Sequence, residues 1–64
     1  MNEVPWVKLK NVKVGDAIHR WGDWLPIVAV QAQGKKVRIE YMDGNKRKDI
    51  TDWAEHEYII RKAK

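Results

Sequence analysis

Asp16, His19 and Asp23 stand three and four residues apart, close enough in sequence to suggest an acid–base group. They flank a predicted hairpin, where polar residues on adjoining strands are more often surface groups. The chain has no cysteine and no serine, and Thr51 falls where a helix cap is predicted. No nucleophile–base pair is therefore available, and a domain this small offers little concave volume for a substrate. His19 and His56 match no zinc or calcium ligand spacing. The expectation is a protein that is not an enzyme and takes no cofactor, metal or small-molecule substrate.

A second kind of chemistry is better represented. The chain carries thirteen Lys/Arg against nine Asp/Glu, a net charge of +4, and its pI is about 9.6. Lys8, Lys10 and Lys13 form one group, and Lys35, Lys36 and Arg38 another. Lys46, Arg47 and Lys48 form a third, Arg61, Lys62 and Lys64 a fourth, and Arg20 stands alone. Clustered cations of this kind suit a polyanion. The aromatic set is skewed towards four tryptophans and two tyrosines, with no phenylalanine. Trp and Tyr suit positions with one wet end, including stacking platforms. Trp21 and Trp24 flank a tight turn and read as surface residues, whereas Trp53 and Tyr58 read as core filling.

The elements that must position these residues are strands. Glycines 15, 22, 34 and 44 are isolated, and none belongs to a phosphate-binding glycine loop. "WGDW", "AQGKK" and "MDGNK" instead punctuate short β-type runs. The first hairpin is predicted to turn at Gly22-Asp23, with Trp21 opposite Trp24 and strands at residues 16–21 and 24–33. Pro26 marks a bend or an edge near the start of the second of these. A loop at Gln33-Gly34 places Val30 against Val37 and Val28 against Ile39. A loop at Asp43-Gly44 places Val37 against Ile50, Glu40 against Arg47 and Arg38 against Asp49. Val28, Val30, Val37, Ile39 and Ile50 then share one face, and two cross-strand ion pairs lie on the other. Setting Glu40 against Asp49 is disfavoured as a like-charge pairing. Asp52, with Glu55 three residues on, has capping-box spacing. It predicts one helical turn before a last strand at residues 58–60. With 64 residues the chain is read as a single domain, 1–64. No apolar run reaches the ~20 residues of a membrane helix, and no signal-peptide h-region is visible. A cytoplasmic location with no membrane partner is expected.

Val14-Gly15-Asp16, Trp21, Val37, Ile39, Tyr41 and Gly44-Asn45 together resemble the Tudor-type branch of the SH3-like barrels. The resemblance implies an all-β, SH3-like small barrel of about five antiparallel strands. It also implies an aromatic cage for a peptide cation, walled by Trp21 and Tyr41, drawing on Trp24 and completed by Asn45. Similar barrels of this size and charge, among them KOW modules and small archaeal chromatin proteins, bind DNA or RNA. The basic character favours that use. Arg20, Lys35, Lys36, Arg38, Lys46, Arg47 and Lys48 are the candidate phosphate contacts, and Trp21, Trp24 and Tyr41 the candidate base contacts. Peptide or partner-protein binding is the alternative, as is a role as a small accessory subunit of a larger assembly.

Overall fold

Turn chemistry decides the register of the sheet. In the computed structural model, which describes residues 5–63, Gly34 and Gly44 each hold a φ of 63°, while the residues after them keep negative φ. Positive φ at the first central residue alone is the signature of a II′ hairpin turn, which favours glycine there. The two-residue loops are therefore Gly34-Lys35 and Gly44-Asn45, not Gln33-Gly34 and Asp43-Gly44. This one-residue change re-pairs both hairpins. Val30 faces Ile39, Ile39 faces Ile50, and Glu40 faces Asp49 after all.

Six antiparallel strands result among the described residues: β1 Trp6–Lys8, β2 Ala17–Arg20, β3 Asp23–Gln33, β4 Lys36–Asp43, β5 Lys46–Trp53 and β6 Glu57–Arg61. Their order in the sheet is β1-β6-β2-β3-β4-β5. The protein is thus all-β and antiparallel as expected, but with six strands rather than five. The sheet does not close into a barrel, and β1 and β5 are its edges.

The predicted helical turn before the last strand is absent. Asp52 accepts the N–H of Trp53, the residue next to it, at 2.7 Å, rather than one two or three residues on as a helix cap would. Strand β5 runs on through Trp53, and only a tight turn at Ala54-Glu55 precedes β6. The short helical element is instead a 3-10 turn at Leu9–Asn11, directly after β1. Leu9 and Lys10 there donate backbone N–H groups to His56 and Ala54 carbonyls, fastening this turn to the β5–β6 connection. Among the described residues, no helix is long and apolar enough to cross a membrane.

The long strand β3 serves two partners. Its first part, to Pro26, pairs with β2, and its second part, from Ile27, pairs with β4. A β-bulge between Ile27 and Ala29 inserts Val28. The extra residue brings Ile27 as well as Val30 to the inner face, so Ile27 enters the core while Val28 stays outside it. The bend predicted from Pro26 therefore lies just beyond it. The core is Leu9, Val12, Ile18, Leu25, Ile27, Val37, Ile39, Tyr41 and Ile60, with Val30, Ile50 and Tyr58 packed against it. Full burial of such a side chain contributes about 1.5–3 kcal/mol. That matters in a chain whose size limits the surface it can bury.

Two further devices hold the ends together. Asp16 is 2 % exposed, and its carboxylate accepts from Lys13 N–H at 2.9 Å, Ala63 N–H at 2.8 Å and the Lys62 ammonium at 2.7 Å. Across the gap between β5 and β6, the Tyr58 hydroxyl donates to Asp52 Oδ2 at 2.6 Å.

Candidate nucleic-acid interface

The β2–β3 turn is Trp21-Gly22, with φ of 50° and 77°. Positive φ at both central residues makes it a I′ turn, where Asn-Gly is the usual pair. It sets Arg20 opposite Asp23 and His19 opposite Trp24, so Trp21 and Trp24 do not face one another as predicted. A bulky residue with positive φ is strained, by about 1–3 kcal/mol. Trp21 is nevertheless 66 % exposed. Two cations lie over its ring: the Arg20 guanidinium carbon at 4.9 Å and Lys48 Nζ at 4.5 Å from the centroid. Lys48 also pairs with Asp43 at 3.0 Å.

Trp24 is half-buried on the other side of the β2–β3 ribbon. Its ring lies 4.9 Å from that of His19 and carries the Arg61 guanidinium at 4.3 Å. Trp53 is 50 % exposed, not core. It stands directly opposite Lys36, whose Nζ lies 4.9 Å from the ring centroid. Beside it, Lys35, Trp53, Ala54 and Glu55 surround an open recess of about 390 Å³. Glu55 in turn holds Lys10 at 2.8 Å and Lys8 at 3.0 Å. These two ammoniums, Lys10 foremost, keep the Glu55 carboxyl below its usual range.

Tyr41 does not belong to this surface. It is 2 % exposed, buried among the core residues opposite Lys48, because it lies two residues beyond Ile39 on β4 and so shares its inner face. A cage walled by Trp21 and Tyr41 with help from Trp24 is therefore not assembled. Tyr41 is in the core, Trp24 is on the other side of the ribbon, and Asn45 lies exposed in the turn.

Arg38 and Arg47 find the carboxylates expected, though by a different geometry. Arg47 donates to Glu40, and Arg38 Nε lies 3.6 Å from Asp49 and 3.9 Å from Glu40. The pairs are diagonal, and the two arginines separate the like charges that the register sets face to face. This self-neutralising group occupies the middle of the outer face of β4 and β5. Of the candidate cations, Lys35, Lys36, Lys46 and Arg20 have no carboxylate partner among the described residues, and neither has Arg61.

The Asp16, His19 and Asp23 set does not form an acid–base group. Asp16 is committed to Lys13, Lys62 and Ala63, and the His19 ring lies tilted against Trp24. Burial alone would raise the Asp16 pKa, but the Lys62 hydrogen bond and two backbone N–H groups outweigh it and leave the carboxyl below its usual value. A different acidic centre appears at Asp52, which accepts from Tyr58, from the His56 ring at 2.9 Å and from Trp53 N–H. Led by the Tyr58 bond, these hold Asp52 at about 2. Burial, then the Asp52 hydrogen bond, pushes Tyr58 up to about 12. No three His, Asp or Glu side chains converge as a metal site among the described residues.

Sequence reasoning missed Trp53, Arg61 and the recess. The Lys36–Trp53 pairing follows from taking Gly44 as the first residue of the β4–β5 turn. The approach of Lys48 to Trp21 joins two separate hairpins and left no local signal. No family model matches the chain, and no curated protein or solved structure does either.

Proposed function

We propose that the protein binds nucleic acid without catalysing a reaction. Lysine–phosphate contacts supply most of the affinity, sequence specificity is low, and exposed indole faces meet bases. The observation that carries this reading is the pairing of rings with cations. Trp21, Trp24 and Trp53 each carry at least one cationic side chain across the ring. A cation beside an aromatic face presents to a strand the two things it repeats, a phosphate partner and a base partner. The carboxylate-free lysines Lys35, Lys36 and Lys46 are the principal phosphate contacts. Arg38 and Arg47, occupied by Glu40 and Asp49, contribute little.

The test is a titration of DNA and RNA, single- and double-stranded, at several salt concentrations. Each phosphate-contacting lysine adds about 0.9 to the slope of log K against log salt on duplex DNA. Replacing Lys35, Lys36 and Lys46 together by alanine is expected to reduce that slope by roughly two to three. Unchanged binding by the triple variant, or no binding by the unmodified protein at low salt, sinks the reading.

A further inference from the structure

The recess beside Trp53 is a concave feature bordered by lysines. It is lined by the exposed Trp53 indole, Ala54, Lys35 and Glu55. Lys36 lies across the indole, and Glu55 is held by Lys8 and Lys10. Four lysines therefore meet a single carboxylate here, and that carboxylate is already shared by two of them. The contrast with the middle of the same face is direct, since Arg38 and Arg47 there are balanced by Glu40 and Asp49. A flat apolar wall with surplus positive charge at its margin fits a flat, apolar-faced ligand attached to anions.

We propose that this recess takes one unstacked nucleobase of a single strand, its ring against Trp53 and its flanking phosphates against Lys35 and Lys36. The assignment rests on the nucleic-acid reading above and adds a preference to it. In a duplex the base faces are covered by their neighbours, so only a single strand can present one to the indole. Glu55, kept ionised and paired, limits repulsion of the phosphates and leaves its lysines near the strand.

The experiment compares two oligomers of equal length and charge, a thymidine 15-mer and the same strand with abasic sites, together with a duplex. Loss of a single base stack is expected to weaken binding about 5- to 150-fold. The unmodified protein should therefore prefer the thymidine strand to the abasic one by at least a factor in that range. Trp53→Ala should lose the share of that preference that one stack supplies, about 5- to 150-fold, while holding the abasic strand and the duplex within about twofold, because those contacts are made by lysines. Trp53→Phe, which keeps a flat ring, should restore most of it. If Trp53→Ala retains the full preference for the thymidine strand, the recess assignment is wrong while the general reading stands. If the unmodified protein binds none of the three, both fall.

Discussion

Replacing Asp16 by alanine isolates one buried carboxylate with three identified donors. The Lys13 and Ala63 backbone N–H groups lose their acceptor, and Lys62 loses an ion-pair partner. Breaking a buried pair from one side costs about 3–5 kcal/mol. Lys62 is partly exposed and keeps its bond to the Asn11 carbonyl, so its share is smaller. The expected loss is then roughly 2–4 kcal/mol, with each orphaned backbone donor accounting for about 1 kcal/mol or more. A domain of this length has about 3–10 kcal/mol in total, so the variant is marginal, with its Tm lowered by about 10–25 °C. Urea unfolding followed by tryptophan fluorescence reads the difference. Its pH dependence has a definite sign. The Asp16 carboxyl is held below its ordinary value in the folded state, so its stabilisation is complete above the unfolded pKa of ~3.9. It fades as the pH falls below that, through the lowered folded value. The gap between the two proteins should be flat from about pH 7 to 5 and should narrow as the pH falls below about 4. A loss under about 1 kcal/mol at pH 7, or a gap that does not shrink in acid, refutes the assignment of Asp16 as the clasp.

Tyr58→Phe removes the strongest influence on Asp52, whose pKa should rise from about 2 towards the ordinary carboxylate range. A carboxyl titration by NMR checks this, and an Asp52 that still titrates near about 2 contradicts the hydrogen bond. Asp52 stabilises the fold above the unfolded pKa of ~3.9, an effect lost as the pH falls through the folded value. Arg38→Ala and Arg47→Ala should each shift stability by no more than about 1 kcal/mol, as exposed pairs do. They should also leave the salt slope for DNA nearly unchanged, since both arginines are already partnered. A slope that drops by about one for either variant would make it a phosphate contact after all.

Much of the architecture is visible in local residue types. Alternation around Val37 and Ile39 marks their strand and its buried face, and both are in the core. Tyr58-Ile59-Ile60 marks the last strand, which runs Glu57–Arg61. What misleads is turn chemistry at the level of single residues. An Asp-Gly pair suggests a loop centred on it, yet Gly44 with positive φ is the first residue of a II′ turn. One residue of slip exchanges every cross-strand partner without exchanging the faces of Val37 and Ile39. Pro26 signals a bend near the start of β3, but not that the bulge beyond it turns Ile27 rather than Val28 into the core. Trp53 misleads for a related reason: bulk argues for the core, but its register on β5 points it outwards opposite Lys36. The ion pairs survive the wrong register because arginine is long enough to reach a diagonal carboxylate.

The open edge of β5 carries a consequence for behaviour in concentrated solution. Eight residues of backbone lie along that edge, an extended template on which a second molecule could add a strand. Lys46, Arg47, Lys48 and Asp49 occupy its first half. Charged side chains, lysine above all, are the usual guard against such edge-to-edge growth. This charged run thus keeps one copy of the sheet from extending another. Neutralising it wholesale would unmask a strand poised to polymerise.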